Sequence, residues 1–307
     1  MESRFCKNCG TFLSSEHREE LGEHTVIGAN IFLDTVKAGK IGRILHEMFQ
    51  TKTGYFKDYI MPEYSLPNNI RDGSLEQALY FTYAISIDKQ TNAVNLWQNV
   101  RRTYEKHPEY FSPKIVSAMD TGFLSSLLRS LGARYPNNGV HTWKTISDIL
   151  LKLYDGDPRN ITREPLTVKQ AKSLIQAFPQ LKGRKLSNLY LRVMGEKGLL
   201  KIVNLKELDI PVDIQVARFT IFSGCLQLKN GTLSGCIHEP PIQPCIEEVW
   251  RNAAKGLDIA PWEIDEPIWT IGSKLCSTRY CNLCPVQHLC ARNFDASIKA
   301  NRLFWKR

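Results

Sequence analysis

Four cysteines near the C-terminus constrain this chain more than any other feature. Cys276, Cys281, Cys284 and Cys290 follow the spacing C-x4-C-x2-C-x5-C within fifteen residues. Four thiolates in so short a segment can surround one metal centre, and thiolate-only ligation suits an iron–sulfur cluster or tetrahedral zinc. A zinc ribbon usually has two C-x-x-C knuckles, whereas this segment has one knuckle with uneven arms. We therefore predict a [4Fe–4S] cluster, with zinc and unligated or disulfide-bonded cysteines as the alternatives.

Charge and composition indicate the kind of partner and compartment. The 307 residues carry a formal net charge of +9, which favours a polyanionic partner. Between Lys274 and Arg307 seven basic residues accompany a single acid, Asp295, so we expect a phosphate-facing surface beside the cysteines. No segment has the ~18 apolar residues of a membrane span, and MESRFCKNCG has no apolar signal segment. These features, with reduced cysteines, predict a cytoplasmic protein that does not enter a membrane.

Helical periodicity dominates the middle of the chain. Residues 91–107 place Val94, Trp97, Val100 and Tyr104 at helical spacing, and residues 75–87 form an apolar helix candidate after a turn. Later segments of the same kind each end at Gly or Pro. No strand-like alternation is evident there, so the predicted fold class is all-α.

The cysteine segment resembles the iron–sulfur loop of the endonuclease III and adenine-DNA glycosylase superfamily. In that family a helix with tryptophan and glycine precedes C-x6-C-x2-C-x5-C; here EPIWTIGSKLC leads into the loop and CNLCPVQHLC reproduces the last three cysteines. The first interval is x4 rather than x6, which changes the expected loop shape. The resemblance extends over about residues 75–295.

The resemblance implies a domain organisation as well as a cofactor. It implies two helical subdomains with a helix–hairpin–helix motif, a C-terminal iron–sulfur loop and a cleft between the subdomains. Residues 1–74 would be an N-terminal extension that contributes to the second subdomain. Residues 75–190 would form a helical barrel ending in the hairpin, and residues 191–307 would carry the catalytic aspartate and the cluster.

Asp213 is the first predicted catalytic residue. In Pro211-Val212-Asp213-Ile214-Gln215-Val216-Ala217-Arg218 the proline fixes the chain that enters a helix, and the aspartate is a preferred N-cap. The helix dipole favours the ionised carboxylate, which would stabilise an oxocarbenium-like sugar as an N-glycosidic bond breaks. A capping role alone is the alternative. The phrase is similar to the family motif, whose aspartate also precedes the cysteine loop by some sixty residues.

Lys185 is the second predicted catalytic residue and decides the type of reaction. FPQLKGRKLSNLYLRVM occupies the place of the family's hairpin, L-P-G-x-G-x-K, with Gln180 in place of the first glycine and one extra residue. Gly183 is expected to supply the positive-φ position and, with Arg184, to bind DNA phosphate. The helix dipole and Arg184 favour a neutral amine that can form a Schiff base; a phosphate-binding lysine is the alternative.

This chain combines features of two subfamilies. Lys185 and Asp213 are 28 residues apart, further than in endonuclease III-like members. That separation and the phrase IPVDIQVAR are more similar to the archaeal 8-oxoguanine glycosylase branch. The chain therefore combines these features with a cysteine loop of the endonuclease III kind.

Further DNA contacts are expected at a turn and at the cysteine loop. Ile85-Ser86-Ile87-Asp88-Lys89-Gln90-Thr91 resembles the family turn whose glutamine fills the gap left by an extruded base, so Gln90 is the candidate; a plain interhelical turn is the alternative. Around the cysteines, we expect phosphate contacts from three basic residues: Lys274, Arg279 and Arg292.

The resemblance implies a base-excision repair enzyme. The expected protein is a monomeric DNA glycosylase with associated lyase activity, acting on double-stranded DNA that contains a damaged or mismatched base, in the cytoplasm at the nucleoid or in a nucleus. A monofunctional N-glycosidase on a modified nucleoside or RNA, and a non-catalytic iron–sulfur nucleic-acid binder, are the alternatives. Cys6 and Cys9 form a single knuckle that predicts a possible second metal, zinc.

Overall fold

The computed structural model describes residues 18–21, 24–27, 31–228 and 242–294 of the chain. The predicted helical fold is confirmed there. The α-helices are α1 (Thr35–Gln50), α2 (Leu75–Ile87), α3 (Ala93–Lys106), α4 (Pro113–Ala118), α5 (Thr121–Leu131), α6 (Pro136–Leu153), α7 (Val168–Leu174), α8 (Arg184–Glu196), α9 (Ile214–Ser223), α10 (Ile242–Lys255) and α11 (Asp265–Ile271). None of these helices is both long and apolar enough to cross a bilayer.

A small antiparallel sheet accompanies the helices. Its strands are β1 (Arg18–Leu21), β2 (His24–Ile27), β3 (Ile31–Asp34) and β4 (Leu226–Leu228), in the order β1-β2-β3-β4. Ile31 and Leu33 are fully buried on β3, and they pair with Leu228 and Leu226 of β4. Strands of three or four residues are too short to leave a distinct alternation in the sequence. The sequence analysis therefore did not predict the sheet.

The chain divides into two compact units. The first, called the hairpin unit, is Ile60–Pro211. The second, called the cysteine unit, combines the chain up to Tyr59 with the chain from Val212 onward.

The core of the hairpin unit is built around α2. This helix is buried from Gln77 to Ile87, as its apolar sequence requires. The Trp143 indole donates to the Tyr83 carbonyl at 3.2 Å, and the Tyr83 hydroxyl lies 2.6 Å from Ser147. Thr82 meets the Tyr190 hydroxyl at 3.1 Å and ties α2 to α8. The polar ends of Trp143, Tyr83 and Tyr190 are thus satisfied, and the Thr82–Tyr190 contact fixes α8 against the core.

The core of the cysteine unit contains α1, α9, α10 and α11. The Trp250 indole of α10 donates to Thr220 of α9 at 2.9 Å. A side chain at Gly42 of α1 would lie 3.4 Å from Ile264 and 3.8 Å from Trp250, so the glycine lets α1 approach closely. These contacts hold α9, whose first residue follows Asp213.

Candidate functional site

Asp213 is the N-cap of α9 and both of its carboxylate oxygens are engaged. Oδ1 accepts from the amides of Gln215 at 2.7 Å and Val216 at 3.0 Å. Oδ2 accepts from the Trp269 indole at 2.9 Å. Three N–H donors around one carboxylate favour its ionised form and fix its direction. The side chain is therefore a cap and, at the same time, an oriented half-buried carboxylate.

Two residues that support Asp213 were not singled out from the sequence. Trp269 lies on α11, 56 positions away in the chain, and supplies the third donor. Gly272 follows α11, and a Cβ there would lie 2.3 Å from the Gln215 carbonyl oxygen. Only glycine permits this approach of α11 to the first turn of α9. The sequence signal was the tryptophan and glycine before the cysteines, which the family pattern includes.

Arg218 connects the first turns of α9 to the segment that leads into the cysteines. Its guanidinium donates to the Gln215 side chain and, at 3.4 Å, to the Gly272 carbonyl. Its positive charge also lowers the pKa of the Cys276 thiol, although burial and the other cysteines raise that pKa to about 12 overall. The aspartate and the cysteine segment thus belong to one connected structure within the cysteine unit.

The four cysteines of the loop lie close enough to influence one another. Burial is the largest cause of the raised pKa of Cys276, and the charges of Cys284, Cys290 and Cys281 raise that pKa further. Burial also raises the pKa of Cys284 to about 11 and raises the pKa of Cys290. The predicted grouping of four thiols is therefore present in the fold, in a partly buried setting.

Backbone amides contact two of these sulfurs. The amide of Arg292 donates to Cys290 Sγ at 3.4 Å, and the amide of Val286 lowers the pKa of Cys284 by a hydrogen bond. Such N–H···S contacts are typical of iron–sulfur sites and tune their potential. Within the described part of the chain, no three His, Cys, Asp or Glu side chains converge as ligands of a single metal ion.

The loop is fastened to the end of α9 and presents its basic residues outward. The amides of Ala291 and Asn293 donate to the carbonyls of Ser223 and Phe222 at 3.0 and 3.1 Å. The Arg279 guanidinium lies 5.3 Å from the Phe294 ring centroid. All three predicted phosphate-binding residues of the loop are exposed: Lys274, Arg279 and Arg292.

Lys185 is the second residue of α8 in the hairpin unit. Its ammonium donates to Asp88 Oδ2 at 2.9 Å and to the Asp88 carbonyl at 3.2 Å. Asp88 is nearly buried, and its other oxygen accepts from Thr91 at 2.8 Å. The carboxylate favours the charged form of the lysine and opposes the effect expected from the helix dipole and Arg184. The contact also brings two predicted motifs together, the hairpin and the turn after α2.

The hairpin turn differs from the expected one in which residue has a positive φ. Gln180 has φ of 64°, whereas Gly183 has φ of −70° and is the N-cap of α8. The expectation that Gly183 supplies the left-handed position is therefore wrong. A side chain at Gly183 would be crowded for another reason, because its Cβ would lie 3.2 Å from the Gln180 carbonyl oxygen that accepts from the Gly183 amide. Arg184 is exposed at the first position of α8.

Gln90 is exposed in the turn between α2 and α3, with φ of 56°. Its Oε1 accepts from the Tyr135 hydroxyl at 2.8 Å, and Tyr135 precedes α6. Arg134 lies beside it, with its guanidinium 5.8 Å from the Tyr135 ring centroid. Gln90 is thus presented together with a second turn that carries an arginine and a tyrosine. The predicted zinc knuckle, Cys6 and Cys9, lies outside the described residues.

Comparison with known proteins supports the fold inferred from these residues. The sequence family AGOG, described as N-glycosylase/DNA lyase, matches residues 185–302, which is less than half of the chain. That segment includes Lys185, Asp213 and the four cysteines. No curated protein matches the chain.

Solved structures match over most of the chain. A trapped endonuclease III–DNA covalent intermediate, an estranged-adenine complex, has a TM-score of 0.53 at 19% identity and covers 84% of this chain and 97% of its own. A non-covalent endonuclease III–DNA complex has a TM-score of 0.53 at 18% identity, covering 84% and 96%. A thermostable thymine-DNA glycosylase has a TM-score of 0.50 at 13% identity, covering 84% and 97%.

These likenesses identify the fold of the protein. The chain has the fold of the helix–hairpin–helix superfamily, as its sequence predicted. Within that superfamily, the matching family segment runs from the hairpin helix through the cysteine loop.

Proposed function

We propose that this protein is a DNA N-glycosylase with an associated lyase activity at the resulting abasic site. The observation that carries the proposal is the setting of Asp213, whose carboxylate is held by two backbone amides and the Trp269 indole. An oriented, ionised carboxylate is what the developing positive charge of a deoxyribose needs as the base departs. The matching family, described as N-glycosylase/DNA lyase, and the DNA-bound neighbours of the same fold support this reading.

Lys185 would act as the nucleophile. Its neutral amine forms a bond with C1′ while the N-glycosidic bond breaks, and the base leaves with the bonding electrons and takes up a proton. Ring opening gives an iminium ion. Loss of a C2′ proton then expels the 3′ phosphate oxygen, so the strand is cut. Asp213 would stabilise the cationic sugar during the first of these steps.

The ion pair between Lys185 and Asp88 bears on the rival function. A lysine must lose a proton before it can attack, and the Asp88 carboxylate at 2.9 Å favours the ammonium form while offering a place for that proton. If the pair persists during turnover, a water activated by Asp213 would be the nucleophile and the enzyme would release the base without cutting the strand. This contact is the observation that keeps a monofunctional N-glycosidase as the second candidate.

Binding to duplex DNA is proposed on three surface features. The exposed Arg184 begins α8, whose N-terminal amides and dipole suit a phosphate. Gln90 stands exposed on a turn, where it suits the gap left by an extruded base. The basic residues of the cysteine loop add positive charge.

The cysteine loop is proposed to hold a [4Fe–4S] cluster. Cys276, Cys281, Cys284 and Cys290 would be its ligands, because the charges of these thiols influence one another and backbone N–H groups contact the sulfurs of Cys284 and Cys290. The single C-x-x-C knuckle with uneven arms favours the cluster over a zinc ribbon. When bound, the cluster would serve as a structural crosslink. Equal amounts of iron and acid-labile sulfide in the purified protein would support it, whereas stoichiometric zinc would refute it.

Borohydride trapping tests the proposed function directly. The purified protein would be incubated with duplexes that carry 8-oxoguanine, uracil, thymine glycol, a mismatch or an abasic site, and adducts would be resolved by denaturing electrophoresis. 8-Oxoguanine comes first because of the similarity of the IPVDIQVAR phrase. We expect a covalent adduct that depends on Lys185. Base release without an adduct would favour the monofunctional enzyme. The absence of both base release and an adduct on every substrate would refute the glycosylase.

A further inference from the structure

Asp88 is a nearly buried carboxylate whose two oxygens are held by two other side chains. It is the C-cap of α2, and its side chain is only 7% exposed. Oδ2 accepts from the Lys185 ammonium at 2.9 Å, and Oδ1 accepts from the Thr91 hydroxyl at 2.8 Å. The Asp88 main-chain carbonyl accepts from the same ammonium at 3.2 Å. The proposed nucleophile therefore lies within proton-transfer distance of a carboxylate that also holds it in place.

A second ion pair on α8 shows how a purely structural contact differs. The Arg192 guanidinium donates to Glu63, and the arginine side chain is fully buried. Arginine stays protonated in proteins, so this ion pair is permanent. At position 185 the same helix has a lysine, whose amine can lose a proton, and 24% of its side chain is exposed. Lys185 is therefore accessible and chemically able to give a proton to Asp88.

The turn after α2 fixes the direction of the Asp88 carboxylate. The turn is bounded by Asp88, the C-cap of α2, and by Asn92, whose side chain caps α3. Between them the Thr91 hydroxyl holds Oδ1, so that Oδ2 is the oxygen directed at Lys185. A proton acceptor that is oriented before the substrate arrives needs no rearrangement during the reaction.

From these contacts we infer that Asp88 is a catalytic base that takes the proton Lys185 must lose; the inference rests on the proposed attack of Lys185 on C1′. Transfer of one Nζ proton to Asp88 Oδ2 leaves a neutral amine and a neutral carboxylic acid. The amine keeps two N–H groups, so its bond to the Asp88 carbonyl persists while the lone pair forms the bond to C1′. The electrons of the N-glycosidic bond leave with the base, which takes up a proton from solvent. Asp88 then gives its proton to water and is ionised again.

The alternative role for Asp88 predicts an effect of the opposite sign. If the carboxylate only stabilises the ammonium, removing its charge raises the share of neutral amine and speeds the attack. If Asp88 is the base, the same change removes the proton acceptor, and a general base typically accelerates a step about 10²–10⁴-fold. Asp88→Asn keeps the size of the side chain and removes its charge, so the direction of its effect on the rate separates the two roles.

The measurement is the single-turnover rate of borohydride trapping on a duplex with a plain abasic site, which requires Schiff-base formation but no base release. Asp88→Asn should slow trapping about 10²-fold. Thr91→Val removes the hydrogen bond to Oδ1 and should slow trapping about fivefold, the loss of one hydrogen bond. Asp155→Asn is the matched control, because it breaks an exposed ion pair with Arg163 in the same unit, and it should trap as the wild type does.

Added formate gives a second readout that a structural role would not produce. Asp88→Ala should trap slowly and leave space for a small carboxylate beside Lys185. Formate should then restore trapping in proportion to its concentration, whereas chloride at the same ionic strength should not. Neither salt should restore Lys185→Ala. The melting temperature of each variant shows whether it is folded, and Asp88→Asn decides the test alone if Asp88→Ala does not fold.

The outcomes keep this inference apart from the proposed function. Trapping by Asp88→Asn at or above the wild-type rate, or a folded Asp88→Ala that does not respond to formate, would overturn the inference and leave the glycosylase intact. Trapping that depends on Asp88 at an abasic site, with no base release from any damaged duplex, would uphold the inference and refute the glycosylase. A wild type that forms no adduct on any duplex would overturn the inference, and base release in the same assays would then leave a monofunctional enzyme.

Discussion

Helices α8 and α9 each begin beside a residue predicted to be catalytic, but their first turns are used in different ways. At α9 the side chain of Asp213 accepts from two first-turn amides, so the helix start holds the protein's own carboxylate. At α8 the N-cap is Gly183, which makes no side-chain capping bond. The first amides of any α-helix lack intrahelical acceptors, and a helix with no side-chain cap can give them to a phosphate.

The comparison shows how one backbone feature supports two tasks. The positive end of the α9 dipole stabilises the ionised form of Asp213 and keeps its direction. Lys185 is in the first turn of α8, at the positive end of that helix dipole. The dipole favours the neutral amine, but the Asp88 carboxylate in contact with Lys185 favours the ammonium form. The difference therefore lies in the partners that each helix start has acquired, and substitutions of those partners test it.

The largest effect is expected at α8. Lys185→Ala should abolish the borohydride-trapped adduct, because the substitution removes the amine proposed to form the Schiff base with C1′. Quantifying the adduct on the best substrate of the panel gives the measurement. Lys182→Ala, which removes an exposed lysine of the same turn, should trap as the wild type does. A persistent adduct in Lys185→Ala would show that α8 does not carry the nucleophile.

The next effect concerns the carboxylate at α9. Asp213→Asn should slow base release about 10²–10³-fold in single-turnover assays, since the stabilising charge is lost. Asparagine is an equally good N-cap, so the bonds to the first-turn amides should be retained. The asparagine NH₂ would face the Trp269 indole, which would lose its acceptor, and we therefore expect the free energy of unfolding to fall by about 1 kcal/mol.

Asp34→Asn is the matched control for that substitution. Asp34 caps α1 in the same unit through the amide of Lys37. It should retain full activity with little change in stability. If Asp213→Asn releases base as fast as Asp34→Asn, then Asp213 is a cap and nothing more.

A third substitution tests the packing of α11 against the start of α9. Gly272→Ala should lower the free energy of unfolding by about 3 kcal/mol, because its Cβ would lie 2.3 Å from the Gln215 carbonyl oxygen. Displacing Gln215 should also move Asp213 and reduce base release. Gly39→Ala within α1, where no atom lies within 4 Å of the new Cβ, should instead stabilise the protein slightly. Equal melting temperatures for the two variants would contradict this account.

The smallest effects concern phosphate binding in the two units. Arg184→Gln at α8, and Lys274→Gln, Arg279→Gln or Arg292→Gln at the cysteine loop, should each reduce the slope of log affinity against log salt by about 0.9. Lys255→Gln, at the exposed end of α10, is the control and should leave the slope unchanged. An altered slope at α8 alone would restrict the phosphate contacts to the hairpin unit.

Local patterns explain why some features could be predicted. Asp213 was expected to cap a helix, and it bonds to residues two and three positions ahead. The four cysteines lie within one short segment, so their grouping follows from spacing. The hairpin was recognised from FPQLKGRK, yet its left-handed residue was assigned to Gly183 instead of Gln180. An inserted residue shifts a turn in ways that its composition does not reveal.

The sequence by itself determined the helical elements, the cap at Asp213 and the cluster of thiols, because hydrogen bonds and ligands that span a few residues are encoded in local order. Only the tertiary structure decided which side chains complete these features. Trp269 donates to Asp213, which is 56 residues away in the chain, and Lys185 contacts Asp88, which is 97 residues away. Gly272 has no side chain that would block the Gln215 carbonyl. Contacts of this range exist only after the core has fixed how helices pack, so the local order of residues does not show which side chains meet.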